Sequence, residues 1–251
     1  GSNAMCAVTA ILETGMKEMV EPQTTVTLDT AAGIVRALAE CKDGKVTKVS
    51  LDMPPSFVAL KDAVIETPQW GPVRYDLCFG GVFYALVDVD QIGIVIDPDN
   101  ARDLATFGVE LRNLIVSETH IAHPEIPEIN GIAYVMFRSD EPDGAIRTCT
   151  TLPPGRADRS PCGTGSNANM AVRFHEGRAR PGDVLVSRSI IGGEFRTLFA
   201  EETQVGPFRA TLNQVSGQCW IYGISQIGLD PTDPFQHGFI LSDTWGKQAV
   251  S

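Results

Sequence analysis

Positive charge and long apolar runs are both scarce in this sequence. Its 251 residues include 20 Lys and Arg against 31 Asp and Glu, which gives a net charge of −11. Because this excess of negative charge repels phosphate, nucleic acid is not expected as a partner and an anionic membrane surface is disfavoured. The longest apolar runs, such as residues 92–96, are far shorter than the roughly 20 residues that span a bilayer. The sequence therefore predicts a soluble globular protein, with length for one large domain or two small ones.

Closely paired cysteines are lacking as well. The six cysteines are spread over the chain, without the spacing of a disulfide framework or a zinc ribbon. We therefore interpret them as reduced thiols in a cytoplasmic protein. His120 and His123 have a spacing that can serve a metal, but no Cys or acidic cluster is arranged around them. A loop role is favoured for both histidines, and no metal site is predicted.

Alternation of apolar and polar residues dominates the chain and predicts many strands and few helices. One helix is predicted at 7–14. A second opens at Asp97, with a buried stripe of Leu104, Phe107, Leu111 and Leu114, and a third begins after Cys162 and stops at Gly177. The predicted strands are 24–28, 33–40, 45–51, 73–79, 83–89, 132–137, 145–151, 184–190, 195–201, 208–213 and 219–224.

A proline-rich connection at 123–127 predicts a boundary between two parts of the chain. We interpret residues 1–4 as an expression-vector remnant ahead of a natural start at Met5. The division expected is then an N-terminal half at 5–122 and a C-terminal half at 123–251.

The stretch at 158–167, DRSPCGTGSN, carries the clearest chemical signal. Pro161 restricts the backbone that enters the turn, and two glycines, Gly163 and Gly165, let backbone N–H groups approach a ligand closely. A helix start follows, whose unpaired N–H groups and dipole favour an anion and stabilise the thiolate of Cys162. A substrate carboxylate held by the N–H groups of Gly163, Thr164 and Gly165 would lie within reach of the sulfur. The alternative is a glycine-rich turn that ends in a buried cysteine.

The same residues resemble the second cysteine motif of the proline racemase family, which includes hydroxyproline epimerases and trans-3-hydroxyproline dehydratases. The resemblance covers nearly the whole chain. It rests on DRSPCGTG at 158–165, SIIGGEF at 189–195, VSGQCWIYG at 215–223, DPFQHGF at 233–239, FGGVFYALVD at 79–88 and TTVTLDTAAG at 24–33.

The resemblance implies a mixed α/β (α+β) fold like that of diaminopimelate epimerase. Two similar halves, each a strand barrel around a central helix, enclose the active site between them, and the last strands return to the N-terminal half. Family members use no metal, pyridoxal phosphate or nicotinamide. In the racemases and epimerases two cysteines act on opposite faces of Cα as general base and general acid, because inversion at one carbon requires groups on both faces.

Carried over by position, Cys162 matches the second catalytic cysteine and Gly163 and Thr164 the carboxylate-binding amides. Asp158 matches the acidic residue near the substrate amine, which in a closed cleft needs a counter-charge. Turn capping is the alternative for Asp158.

The first cysteine motif of the family, MCGHG, is not found here. Met5-Cys6 is joined directly to Ala7-Val8-Thr9, so either Cys6 is the family's cysteine with the next residues lost, or the chain starts inside the helix and Cys6 is an ordinary helical residue. The helical rise of about 1.5 Å per residue favours the second interpretation, since a loss of several residues would displace the thiol. On either interpretation the N-terminal barrel is incomplete.

Three functions follow as alternatives. The first is a cofactor-independent proline racemase or 4-hydroxyproline 2-epimerase, and the second is a trans-3-hydroxy-L-proline dehydratase. The dehydratase branch generally has threonine where this chain has Cys162, which counts against it. The third is a catalytically inactive homologue. The expected partner is proline or hydroxyproline, and unpaired strand edges of an incomplete barrel predict a homodimer.

Overall fold

A computed structural model describes residues 1–30 and 33–239 of the chain. Its helices are α1 (Ser2–Glu13), α2 (Ala101–Glu118) and α3 (Gly163–His175), with single 3-10 turns at Val89–Gln91 and Pro98–Asn100. The strands are β1 (Gln23–Thr30), β2 (Gly33–Lys42), β3 (Lys45–Asp52), β4 (Ser56–Thr67), β5 (Gly71–Phe79), β6 (Phe83–Asp88), β7 (Ile132–Asp140), β8 (Ile146–Leu152), β9 (Arg156–Ala157), β10 (Val184–Ser189), β11 (Glu194–Val205) and β12 (Phe208–Gly217).

The strands form one sheet that closes on itself. Its hydrogen-bonded order is β1-β2-β3-β12-β11-β10-β8-β7-β6-β5-β4, and β12 also pairs with β4 at Ala210 and Thr211. The ring from β4 through β8 and β10 to β12 is therefore a barrel, while β3, β2 and β1 extend away from the C-terminal end of β12. The mixed α/β class with strands in a barrel is confirmed.

Helix α2 packs on one face of the barrel wall, mainly against β7, β8 and β9. Leu104, Phe107, Leu111 and Ile115 recur every three or four residues, so they form one buried face against apolar side chains of β4 to β8. The Asp97 carboxylate accepts a hydrogen bond from the Asn100 backbone N–H at 3.0 Å, which satisfies one of the free donors ahead of the helix. The predicted stripe is confirmed, except that Leu114 is only partly buried and Ile115 takes the fully buried position.

Helix α3 lies on the other face of these strands and is the central helix of the barrel. It contacts β4, β5, β6, β11 and β12, and its Met170 and Phe174 pack with side chains of β8, β10 and β11. Because side chains alternate along a strand, Cys78, Tyr84 and Met136 point away from α2 and cluster with α3 residues Ala168 and Val172. Strands β5 to β7 are thus covered on both faces. This double coverage explains why β6 is apolar at successive positions rather than at alternate ones.

Helix α1 covers the extension of the sheet. Met5, Val8 and Leu12 lie on one face of the helix and pack against β1, β2 and β3. The helix predicted at 7–14 is confirmed, although it begins earlier, at Ser2. None of the helices in the described ranges is long and apolar enough to cross a membrane.

Two predictions about strands were wrong. Strand β4 was not predicted, because register shifts at Val58/Leu60 and Leu60/Ala63 and a positive φ of 54° at Asp62 break its alternation. The strand predicted at 219–224 does not form, since β12 ends at Gly217.

The contacts of the chain separate Gly1–Cys219 from Trp220–Ser251. The second unit contains no helix or strand over the described residues 220–239. The boundary predicted at residue 123 falls between α2 and β7. Both elements lie within the first unit, and β7 pairs with β6 in the barrel. The division into halves at 5–122 and 123–251 stays a prediction.

A buried ion cluster joins the strands to the C-terminal end of α3. Asp76 on β5, only 2% exposed, pairs with Arg138 at 2.7 Å and with Lys61 at 3.0 Å. Arg138 also reaches Asp88 at 2.7 Å, and Lys61 reaches Glu176 just after α3 at 3.3 Å. Burial acts to raise the pKa of Asp76, but Arg138 and the hydrogen bonds to the carboxylate hold that pKa below its usual value.

Replacing Asp76 by Asn tests this cluster. The variant leaves two cations without their buried carboxylate, so we expect the free energy of unfolding at pH 7 to fall by about 3 kcal/mol. The pKa of Asp76 is lower in the folded protein than in the unfolded chain. The contribution of the Asp76 carboxylate to the free energy of unfolding is therefore fully present above about pH 5, and it is lost as the pH falls through about 4 toward the folded-state pKa. Urea unfolding should show the difference between the two proteins shrinking over that range.

Glu128→Gln, at an exposed carboxylate ahead of β7, is the matched control and should change stability by less than about 0.5 kcal/mol. An Asp76→Asn deficit that stays constant down to pH 3 would contradict the ion-pair account.

Candidate active site

Cys162 forms the N-cap of α3 and is 8% exposed. Its φ of 64° lies in the left-handed region, which costs a non-glycine residue free energy and is commonly maintained at functional sites. The carbonyl of Cys162 accepts the first helical hydrogen bond, from the Ser166 N–H at 2.8 Å. The N–H groups of the first turn, at Gly163, Thr164 and Gly165, have no partner within the helix. The four residues predicted to bind and react are thus together at one helix terminus.

The thiol of Cys162 lies in a small group of hydroxyls. Its Sγ is 3.2 Å from the Tyr84 hydroxyl and 3.8 Å from Thr164 Oγ1, and these two oxygens are 2.7 Å apart. Tyr84 is buried on β6, and burial raises the pKa of its phenol well above the usual value. Tyr84 was not among the predicted site residues, although the segment FGGVFYALVD contains it. A tyrosine among buried positions of a strand was the available signal, since a buried phenol needs a polar partner.

Asp158 supports the turn that leads to Cys162. Its carboxylate accepts hydrogen bonds from the Ser160 N–H at 2.8 Å and the Ser160 hydroxyl at 3.1 Å. The same Ser160 oxygen accepts from the Cys162 N–H at 3.1 Å. Asp158 therefore acts on Cys162 through Ser160 and caps the turn. It is half-buried, and contact with a substrate amine stays a prediction.

The first turn of α3 lies directly on the turn between β5 and β6. A Cβ on Gly80 would be 2.1 Å from the Thr164 carbonyl oxygen and 2.8 Å from the Ala168 nitrogen, so only glycine fits there. Asn167, which is fully buried, donates from Nδ2 to the carbonyl of Gly80 at 3.0 Å and to that of Pro54 at 2.9 Å. The glycines of the FGGVF segment therefore serve the position of α3.

The N-terminal end of α1 reaches the same place. A Cβ on Gly1 would lie 2.7 Å from the Gly163 Cα, so the first residues of α1 and α3 are in contact. Cys6 is in the second turn of α1, where its Sγ is 3.5 Å from that of Cys219. Cys6 is thus a helical residue whose thiol neighbours Cys219. Its interpretation as the family's first cysteine gains no support from this position.

The histidine at 123 has a structural environment. His123 Nδ1 accepts from the N–H groups of Glu125 and Ile126 at 3.3 and 3.2 Å, and its ring packs against Phe57 and Phe79. The favoured loop role is confirmed for His123. Within the described parts of the chain, no group of three or more His, Cys, Asp or Glu side chains is arranged to hold a metal ion.

Three kinds of comparison relate the chain to known proteins. It matches the proline racemase family model over residues 1–240. It is 55% identical over 249 residues to the 4-hydroxyproline 2-epimerase 1 of Rhizobium rhizogenes. The match covers 99% of this chain and 72% of that protein. A crystal structure of a hydroxyproline epimerase from Agrobacterium vitis with bound trans-4-OH-L-proline is 52% identical, with a TM-score of 0.89, over 98% of this chain and 71% of that one.

A more distant solved structure shares the fold alone. It is a phenazine biosynthesis protein from Bacillus anthracis, 11% identical with a TM-score of 0.53, and the match covers 85% of this chain and 71% of that one.

Gly80→Ala tests the contact that positions α3. The added Cβ meets backbone atoms of the helix, which cannot rotate away, so we expect a loss of about 1–3 kcal/mol in the free energy of unfolding. Gly193→Ala is the control, because its Cβ would meet only the Ser189 hydroxyl, at 3.3 Å. Equal stability of the two variants in urea unfolding would show that Gly80 does not support α3.

Proposed function

Since the chain belongs to the proline racemase family, we propose that its Cys162 thiol exchanges a proton with the Cα of 4-hydroxyproline or proline, without a cofactor. The observation that carries this proposal is the position of Cys162 at the start of α3, beside three N–H groups that can hold a carboxylate. The relatives named as 4-hydroxyproline 2-epimerases, and the related structure with bound trans-4-OH-L-proline, support hydroxyproline as the substrate to test first.

The substrate carboxylate binds to the N–H groups of Gly163, Thr164 and Gly165 in this proposal. The positive end of the α3 dipole stabilises the negative charge that moves onto the carboxylate as the Cα–H bond breaks. The secondary ammonium of the substrate faces the Asp158 carboxylate, which is already oriented by Ser160. Cys162 thiolate then takes the Cα proton, forming S–H, while the bonding electron pair remains on the substrate.

Inversion requires a second acid on the opposite face of Cα. Cys6, the candidate for that role in the sequence, has its thiol beside Cys219. We therefore expect this polypeptide to act on one face only. The proton taken by Cys162 exchanges with solvent and returns to the face from which it came, so exchange proceeds with retention and little or no epimer accumulates.

The test is incubation in D2O with trans-4-hydroxy-L-proline, cis-4-hydroxy-D-proline, and L- and D-proline in separate reactions. We expect deuterium at Cα of one stereoisomer of a pair, detected by NMR and mass spectrometry, with its configuration retained. Cys162→Ser should abolish incorporation, because a serine hydroxyl is a far weaker acid than a thiol. Cys6→Ser is the control and should leave incorporation unchanged.

Two results would count against the proposal. No Cα deuterium in any of these substrates contradicts proton transfer by Cys162. Rapid inversion that survives Cys6→Ser and is lost in Cys162→Ser contradicts the one-face account.

Trans-3-hydroxy-L-proline separates the dehydratase alternative. Loss of its 3-hydroxyl and appearance of a cyclic imine would favour that activity. The expected homodimer and cytoplasmic location stay predictions. In support of the first, β1 lies at the end of the strand order and pairs only with β2 in the described part of the sheet, which leaves an edge available for pairing.

A further inference from the structure

The N-terminal ammonium of Gly1 interacts with both Cys162 and Asp158, and burial holds the pKa of that ammonium below its usual value. One fully buried hydroxyl also lies beside the Cys162 sulfur. The Tyr84 hydroxyl is 3.2 Å from Sγ and 2.7 Å from Thr164 Oγ1, and Tyr84 is 1% exposed. We propose that Tyr84 is a positioning residue that stabilises the thiolate of Cys162 by donating a hydrogen bond to it, with Thr164 orienting the phenol. A role of this hydrogen bond in catalysis rests on the proposed function, whereas the hydrogen bond between Tyr84 and Cys162 does not.

The number of protons in the group limits its arrangements. A phenol carries one proton, so Tyr84 donates either to Cys162 or to Thr164, but not to both at once. When Cys162 is a thiolate, Thr164 donates to the Tyr84 oxygen and Tyr84 donates to the sulfur. When Cys162 is a thiol, S–H donates to the Tyr84 oxygen and Tyr84 donates to Thr164. The two hydroxyls therefore reverse direction as Cys162 gains or loses its proton, and every oxygen keeps a partner.

The surrounding structure holds the phenol in place. Strand β6 is paired on both sides, with β5 and with β7, and the Tyr84 ring packs beside Tyr134 with centroids 5.7 Å apart. Burial raises the pKa of Tyr84 well above its usual value, so the phenol stays protonated and remains a donor at neutral pH. Water does not compete for this donor, because Tyr84 is buried.

A charged sulfur at this position would have little contact with water, because Cys162 is 8% exposed. The hydroxyls of Tyr84 and Thr164 are the side-chain groups that lie beside it. A hydrogen bond to a charged group in a buried site is roughly twice as strong as one between neutral groups. Tyr84 is therefore placed to offset the loss of water around the sulfur.

The experiment is the pH profile of Cys162 alkylation by iodoacetamide between pH 5 and 10, followed by peptide mass spectrometry to separate Cys162 from the other cysteines. In Tyr84→Phe we expect the midpoint of the profile to move up by about one pH unit, and the rate well below that midpoint to fall by about tenfold. Tyr134→Phe, which removes a neighbouring hydroxyl and keeps its ring, is the matched control and should leave the midpoint in place.

Thr164→Val provides a second variant. It removes the group that orients the phenol, so the midpoint should move in the same direction by a smaller amount. An unchanged midpoint in Tyr84→Phe, with a thermal melt that shows a folded protein, would overturn the inference. So would an equal shift in Tyr134→Phe.

The proposed function can fail separately. A midpoint that moves in Tyr84→Phe supports the inference even if the wild-type protein exchanges no Cα proton. Exchange in the wild type together with an unmoved midpoint overturns the inference and leaves the proposed function standing.

Discussion

The first turn of α3 is in direct contact with the backbone of Gly80, and this contact fixes the position of Cys162 at the start of the helix. Because no Cβ separates the two segments, the helix start lies close to the turn between β5 and β6, and Asn167 bonds the helix to the carbonyl of Gly80. Strands β5 and β6 belong to the barrel and are covered by α2 on one face and by α3 on the other. A shift of the turn would therefore move the free N–H groups of α3 and the Cys162 thiol together.

The electrostatics of the site follow from that position. A helix terminus supplies partial positive charge, and the buried Tyr84 hydroxyl lies 3.2 Å from the Cys162 sulfur. The Asp158 carboxylate accepts from Ser160, and the Ser160 hydroxyl oxygen accepts from the Cys162 N–H, so Ser160 links Asp158 to the turn at Cys162. The result is a thiol at a helix start, and the proposed function uses it for proton transfer on one face of a carboxylate-bearing carbon.

Local signals in the sequence were sufficient for the helices and for most strands. The stripe of α2 and the alternation of β1 to β3 depend on residues that are close in sequence, so their periodicity was visible. Strand β4 was missed because its register shifts against β5 and the positive φ of Asp62 interrupt the alternation along the strand. The motif around Cys162 predicted the helix start, which is confirmed, and an anion site there, which stays a prediction. Tyr84, 78 positions away in sequence from Cys162, could be assigned only once β6 was known to pack against α3.

A crystal structure of this chain soaked with trans-4-hydroxy-L-proline tests the central claim most directly. We predict that the ligand carboxylate lies about 2.7–3.2 Å from the N–H groups of residues 163–165, with Cα about 3–3.5 Å from the Cys162 sulfur. A ligand whose carboxylate binds away from the start of α3, or whose Cα faces away from Cys162, would contradict the account.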